Sequence, residues 1–251
     1  MLYLQKKIIL IFPSFITISS LIFLFYSSVA GAVTIGQIDD FEQGTFQNWQ
    51  MGAAVPINSH LTNIADGGPA GIGDNYLQVN SNGTFTAGGR LTLFNSLQWT
   101  GDYIAAGITT IVMNLNNFSS SESLNLRLAI NGGVTDHLGN VTGGLFSTQA
   151  SVSLDSSSGW TQVSFSLRPD NLVPVSRLNF TTGNDVLSTL ANVTELRLIN
   201  GNIPSWTGDP VTATIGIDNI SAVPLPAAIF LFVSGIAGLC TLQLGRQFKR
   251  G

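Results

Sequence analysis

Two loops of this sequence place an aromatic ring among amide and carboxylate groups, a combination suited to sugars. The stretch "NGNIPSWTGDP" is punctuated by Pro and Gly and carries Trp206 between Asn202 and Asp209. A ring face exposed in such a loop can stack on a pyranose, while the polar groups bond its hydroxyls. The alternative is that these rings form an apolar lid over the end of the fold. A second loop has the same ingredients in Trp99, Asp102 and Tyr103.

Motifs of common enzymes are missing from the sequence. It contains no GxSxG, HExxH or GxxxxGK[ST], and no GxGxxG follows its first strand. Of the two histidines, His60 and His137, the second follows Asp136 in a Gly-rich stretch that favours a turn over a catalytic dyad. A glycosidase needs two carboxylates across a sugar bond, and no pair stands out here. We therefore expect no enzyme, with a polysaccharide-cleaving enzyme as the alternative.

The elements that must position these groups are predicted to be β-strands. Apolar residues alternate in "LNLRLAI", "QVSFSL" and "ELRLI", which is the period of a half-buried strand. Gly- and Asn-rich turns separate seven to nine such segments, and one short helix is predicted in "NDVLSTLAN", capped by Asn184 or Asp185. This pattern predicts one antiparallel sandwich, with Trp49 and Trp160 at strand starts as core residues.

The charge of the middle segment excludes some partners. All fourteen acidic residues lie between Asp39 and Asp218, with five arginines and no lysine, which gives a formal charge of −9. Phosphate neutralisation needs clustered Lys and Arg, so we expect no nucleic-acid partner. The single cysteine, Cys240, lies in an apolar run near the C-terminus, so the middle segment has no disulfide.

Apolar runs occupy both ends of the chain. Lys6 and Lys7 precede the uncharged run Ile8–Tyr26, and small residues follow it, which predicts a signal peptide over 1–32 cleaved after Ala32. Cleavage after Ala30, or an uncleaved anchor, are the alternatives. The run 227–244 is about 27 Å long as a helix and predicts a transmembrane segment. The middle, 33–222, is one domain.

The C-terminal region 223–251 resembles the PEP-CTERM sorting signal of Gram-negative bacteria. It has a Pro-x-Pro motif, a transmembrane stretch and a basic tail, in that order. The resemblance implies that an exosortase recognises the prolines and processes a chain that is halted in the inner membrane before it reaches the cell surface or extracellular matrix. The residues that carry it are Val223, Pro224, Leu225, Pro226, Arg246, Lys249 and Arg250.

The middle segment resembles jelly-roll carbohydrate-binding modules of the galactose-binding-like type. The shared patterns are "DDFEQGTFQNWQ" near its start, "GDNYLQV" and "GWTQVSFSL" within it, and "IDNI" at its end. The resemblance implies a jelly-roll β-sandwich and a protein that engages extracellular polysaccharide without cleaving it. A purely structural surface protein is the alternative.

The same resemblance implies a structural calcium ion. In such a fold the first and last strands lie side by side, so Glu42 would approach Asp218. Calcium takes six to eight oxygen ligands from carboxylates and turn carbonyls. The alternative is a set of solvated edge carboxylates. The implied ligands are Glu42, Asp218, the Gly44 carbonyl, Asp40 and Asp74.

Overall fold

The chain folds into an antiparallel β-sandwich of two main sheets with almost no helix. The computed structural model describes residues 32–52, 58–86, 88–135, 141–177 and 184–224. The predicted all-β, antiparallel fold class is confirmed. Several predictions concern positions outside the described residues: the signal peptide up to residue 31, the transmembrane segment 227–244, Asp136, His137, Leu225, Pro226, Arg246, Lys249 and Arg250.

The strands in the described part of the chain are mostly short. Each strand predicted from alternation is present. The strands Tyr76–Asn82, Ile108–Asn117 and Thr212–Pro224 are also long, and the remaining ones have two to four residues, too few to show a period. In chain order they are β1 (Ile38–Asp39), β2 (Gln50–Met51), β3 (Leu61–Ile64), β4 (Tyr76–Asn82), β5 (Thr92–Asn95), β6 (Ile108–Asn117), β7 (Leu124–Asn131), β8 (Val134–Thr135), β9 (Val141–Thr142), β10 (Leu145–Thr148), β11 (Val152–Leu154), β12 (Thr161–Ser166), β13 (Leu172–Pro174), β14 (Glu195–Asn200) and β15 (Thr212–Pro224).

Two sheets face each other across the core. The six-stranded sheet has the order β12-β6-β15-β4-β3, with β1 paired to the free part of β15. The seven-stranded sheet has the order β13-β10-β7-β14-β5-β2, with β11 paired to β7, and β8 pairs with β9 in a separate hairpin. The first and last strands are therefore neighbours, as predicted.

The alternation read from the sequence matches the core. On β7 the predicted inward residues Leu124, Leu126, Leu128 and Ile130 are all fully buried, and each contributes roughly 1.5–3 kcal/mol through burial. Strand β14, which alternation predicts to be half-buried, is instead covered on both faces.

The predicted helix is present as α1 (Val186–Leu190). Asp185 caps it, since its carboxylate accepts hydrogen bonds from the backbone N–H groups of Leu187 and Ser188. Besides this α-helix, two 3-10 helical turns cover Asn58–His60 and Pro169–Asn171.

The outward faces of the two sheets differ in character. A loop covers the seven-stranded sheet, as described below. The six-stranded sheet carries amide side chains on its outward face. Asn116 of β6 and Gln78 of β4 lie in one row, on either side of Gly216 of β15. Gln162 and Asn114 form the neighbouring row.

Candidate functional site

Asp218, one of the predicted calcium ligands, lies beside a bulge in the last strand. The register of β15 against β6 shifts between Asp218 and Ser221, and Asn219 adopts a left-handed conformation with φ 52°. A bulge re-aims the side chains beside it. Asp218 is only 1% exposed, and its two carboxylate oxygens accept hydrogen bonds from the backbone and side-chain nitrogens of Asn219, at 2.7 and 2.9 Å.

Burial and neighbouring negative charge act together on Asp218. Loss of hydration is the larger cause and the carboxylates of Asp74, Glu42 and Asp40 add to it, so the pKa of Asp218 rises from 3.8 to about 7. Glu42 is held close by the backbone N–H of Asn75, which donates to its Oε1 at 3.0 Å. The predicted carboxylates are thus near enough to act on one another.

The remaining predicted ligands are partly engaged elsewhere. Asp74 accepts a 2.6 Å hydrogen bond from the Ala70 backbone, and Asp40 accepts one from the Glu42 backbone at 3.3 Å. Gly44 ends the turn that begins at Phe41. Within the described ranges, no three His, Cys, Asp or Glu side chains converge to hold a metal ion. Any cation here would need backbone or amide oxygens as further ligands.

The structure corrects the interpretation of Trp99 and Tyr103. Both are fully buried, so neither ring can stack on a sugar. Trp99 Nε1 donates to Asp39 Oδ2 at 2.6 Å, and Trp49 Nε1 donates to the same oxygen at 2.7 Å. Tyr103 donates its hydroxyl to the Trp99 carbonyl at 2.9 Å, and burial raises its pKa. These residues form the core beneath β1, and the core assignment of Trp49 is confirmed.

Trp206 is also buried, whereas stacking on a sugar requires an exposed ring. Its ring lies on the outward face of the seven-stranded sheet, with the Arg197 guanidinium 4.0 Å from the ring centroid. Ala129, Leu145 and Ile199 of that sheet pack around it. As in the lid alternative the ring is a packing residue, but it covers the outward face of the sheet and not the end of the fold.

The polar residues of the same loop hold its two ends together. The Asn202 backbone donates to Asp209 Oδ2 at 2.9 Å. Arg127 donates to the carbonyls of Gly201 and Asn202 and, across the sheet, to that of Thr148. Asn202 and Asp209 thus close the loop over the sheet.

Sequence reasoning missed an aromatic cluster on the other sheet. Trp160, predicted as core, lies half-buried on the outward face of the six-stranded sheet, 5.2 Å from the Tyr76 ring and 6.2 Å from the Phe118 ring between centroids. Phe118 is 40% exposed. Trp160 Nε1 donates to the Gly67 carbonyl at 2.8 Å, which fixes the ring. The signal in the sequence was Gly216, a glycine inside a strand, which marks a close approach.

A polar groove of about 320 Å³ begins beside this cluster. Ser119, which follows Phe118, lines it and accepts the Thr214 backbone N–H at its hydroxyl. The Ser81 hydroxyl, 95% buried, has no hydrogen-bond partner among the described residues. Ser81 lies on the face of β4 that carries Leu77 and Val79 into the core, so its hydroxyl is not available to a ligand in the groove. The lining residues are Asn80, Ser81, Ser119, Ser120, Ser121, Glu122, Thr212, Ala213 and Thr214.

A larger groove, of about 420 Å³, lies between β10, β11 and β12. It has no charged lining residue, and its aromatic residue, Phe165, belongs to the core with 2% exposure. The smaller groove is lined by hydroxyls, an amide and the Glu122 carboxylate, and Phe118, which is 40% exposed, directly precedes its lining residue Ser119. It is therefore the better candidate for a polar ligand.

The first half of the predicted sorting motif belongs to the last strand. Val223 pairs with Thr110 and Pro224 with Ile108, so the sheet extends two residues beyond the predicted domain end at 222. Pro224 is the last residue described. No helix in the described ranges is long and apolar enough to cross a membrane.

No protein-family model and no curated protein matches the chain. Three solved structures show what the fold is similar to. A family 11 carbohydrate-binding module from Clostridium thermocellum, in complex with a β-1,3-1,4-mixed-linked tetrasaccharide, has a TM-score of 0.46 at 16% identity and covers 76% of this chain and 97% of its own. The xylan-binding domain CBM22-1 from Paenibacillus barcinonensis has 0.43 at 13%, covering 77% and 99%. An exo-β-agarase has 0.48 at 13%, covering 77% and 25%. At these scores the comparison assigns no ligand to this chain.

Proposed function

We propose that this chain is an exported, non-catalytic protein that binds polysaccharide at the groove beside Phe118 and Trp160. The observation that carries the proposal is the pair of partly exposed rings above Gly216, bordered by a groove of hydroxyl and amide groups. Sugars present apolar faces of C–H groups and edges of hydroxyls. Rings pack against the faces, and side chains that both donate and accept hydrogen bonds match the edges.

The surroundings of the groove favour a neutral ligand. Glu122 is the one carboxylate in its lining, and the middle segment carries a formal charge of −9 without a lysine. An anionic ligand such as nucleic acid would find no phosphate-binding cluster. A single carboxylate also lacks the second acidic group that glycoside hydrolysis requires, which supports binding over cleavage.

A glycan array tests this function with the full chain in a detergent without a sugar headgroup. We expect retention of one class of neutral polysaccharide and its loss in Phe118→Ala. Phe85→Ala is the matched control, since Phe85 is 80% exposed and outside the groove. Retention of no glycan would favour a purely structural surface protein. New reducing ends released from the retained glycan would favour the enzyme alternative.

A structural calcium ion at Asp218 is a second part of the proposal. A buried carboxylate beside three others is costly unless a cation or a proton neutralises it. The described ion pairs provide no cation here, since the pair found joins Arg197 to Glu195. Glu42, Asp40, Asp74 and the Gly44 carbonyl would complete the oxygen set around Asp218. The ion would join the first and last strands and would not touch the sugar.

Sorting to the cell surface or matrix is the third part, and it rests on the sequence resemblance. An exosortase would recognise the Pro-x-Pro motif while residues 227–244 hold the chain in the inner membrane and the basic tail stays in the cytoplasm. Deletion of residues 225–251 keeps the whole of β15. We expect the shortened chain to leave the envelope fraction, and unchanged fractionation would contradict membrane anchoring.

A further inference from the structure

Both ends of the described chain emerge at the same end of the sandwich. The Gly36 backbone donates to the Ala222 carbonyl, and the Ala222 backbone donates to the Gln37 carbonyl, both at 3.1 Å. Two residues further along β15, Pro224 pairs with Ile108, the first residue of β6. We call this part, formed by residues 32–38, 97–108 and 222–224, the terminal end of the sandwich.

The sequence places an apolar segment very close to the terminal end. Three chain steps separate Pro224 from Ala227, where the run of 18 uncharged residues begins. An extended chain covers at most about 3.6 Å per residue, so the run starts within about 10 Å of the sheet. Since Pro224 is still paired with Ile108, the sandwich cannot swing away without breaking strand pairs.

The terminal end exposes several aliphatic side chains. Ile35 lies against Gly107, where an added Cβ would meet its Cδ1 at 3.7 Å, and Ile104 belongs to the turn that closes at Gly107. Leu97 precedes Thr100, whose carbonyl accepts the Val33 N–H. Those with about half of their surface exposed are Ile35, Ile38, Leu97 and Ile104. Aliphatic side chains grouped at one place on a surface mark an interaction site.

We infer that the terminal end of the sandwich rests on the lipid bilayer, with these aliphatic side chains in its interfacial layer. The inference rests on the proposed anchoring by residues 227–244. Membrane contact removes apolar surface from water, and the short tether keeps the contact in reach. The charged residues near this surface are Asp102, which is exposed, and Arg168, which follows β12. One arginine beside one aspartate is not a basic cluster that would attract anionic headgroups, so neutral lipid is sufficient for the contact.

This orientation places the polysaccharide groove away from the membrane. Strand β6 begins with Ile108 at the terminal end and ends with Asn117, immediately before Phe118. At about 3.3 Å per residue, the strand separates the two ends by about 30 Å. The groove would therefore face outward, into any surrounding matrix.

Depth-dependent fluorescence quenching tests the contact. The full chain, with Cys240→Ser, is placed in phosphatidylcholine nanodiscs with or without nitroxide-labelled lipid. Single variants Ile35→Cys, Ile104→Cys and Phe85→Cys carry a polarity-sensitive dye, and Phe85 is the exposed apolar control beyond the opposite end of β4. We expect quenching at positions 35 and 104 at least twofold stronger than at position 85.

The outcomes separate the contact from the anchor. A chain that enters nanodiscs but shows equal quenching at all three positions would overturn the contact and leave the anchoring proposal intact. A chain that does not associate with nanodiscs at all would refute the anchor and the contact with it. Ile35→Asp combined with Ile104→Asp should lower quenching at a dye on Leu97→Cys, whereas Phe85→Asp should not.

Discussion

A Cβ atom added to Gly216 would lie 2.7 Å from Cη2 of Trp160. The indole therefore occupies a space that only the absence of a side chain on β15 provides. Phe118 uses the same space, since its Cε2 would be 2.9 Å from that Cβ. One strand glycine thus allows two mutually perpendicular rings to pack against the outward face of the sheet.

The first prediction concerns this contact. We expect Gly216→Ala to destabilise the chain by about 1–3 kcal/mol, because the added methyl group forces the Trp160 ring off the sheet. Urea unfolding measures the change. In a Trp160→Ala, Phe118→Ala background the same substitution should cost far less, since the clash is gone. Equal costs in the two backgrounds would show that the rings do not rest on Gly216.

The second prediction concerns the pH dependence that Asp218 causes. Its pKa is about 7 in the fold against 3.8 ordinarily, so the folded chain keeps a proton that the unfolded chain releases. Without calcium, the free energy of unfolding should therefore fall as pH rises from about 4 to about 7 and stay level above. Asp218→Asn should reduce this fall, as seen in the melting temperature across pH, and the fall that remains is expected from Asp39, whose pKa burial also raises.

Calcium should change that profile if it binds at Asp218. The ion displaces the proton, so saturating calcium is expected to raise the melting temperature most at pH 7 and to leave pH 4 nearly unchanged. Asp218→Asn should abolish the calcium effect, whereas Asp170→Asn, a change to an exposed carboxylate in a distant turn, should preserve it. A melting temperature at pH 7 that does not change when calcium is added would refute calcium binding at Asp218.

The third prediction concerns Asp39, which accepts the indole N–H groups of Trp49 and Trp99. Asp39→Ala leaves two buried donors without an acceptor, and each costs about 1–3 kcal/mol. We expect a loss of roughly 2–6 kcal/mol in urea unfolding, followed through tryptophan fluorescence. Asp40→Ala, its half-buried neighbour, is the control. A similar small loss in both variants would contradict the role assigned to Asp39.

The fourth prediction separates Trp206 from sugar binding. Its burial against Arg197 and Ile199 predicts that Trp206→Ala destabilises the chain by about 3–5 kcal/mol. At a temperature where the variant is still folded, polysaccharide affinity should be unchanged. Loss of affinity with intact stability would restore the original interpretation of this loop as a sugar platform.

Most of the long strands could be predicted from the sequence, because inward and outward residues alternate along them. In β15 the pattern even marks the bulge, since Ile217 and Ile220 both point inward although three positions apart. The pairing of β1 with β15 followed from the resemblance, and it brings Glu42 and Asp218 within electrostatic range.

The positions of the tryptophan rings were harder to predict, because the local sequence does not show which sheet face a loop packs against. The Pro- and Gly-rich segment around Trp206 has the composition of an exposed loop, yet Arg127 bonds its carbonyls and draws it onto the sheet. Trp160 begins a strand as a core residue would, but its ring turns outward over Gly216. Both outcomes depend on contacts between residues far apart in the chain.

The most direct test measures affinity for the polysaccharide that the array identifies, by calorimetry on the full chain. We predict that Phe118→Ala and Trp160→Ala each weaken binding about tenfold or more, as central aromatic contacts do, while Phe85→Ala binds like the unmodified chain. Equal affinity of the unmodified chain and all three variants would contradict a binding site at this groove.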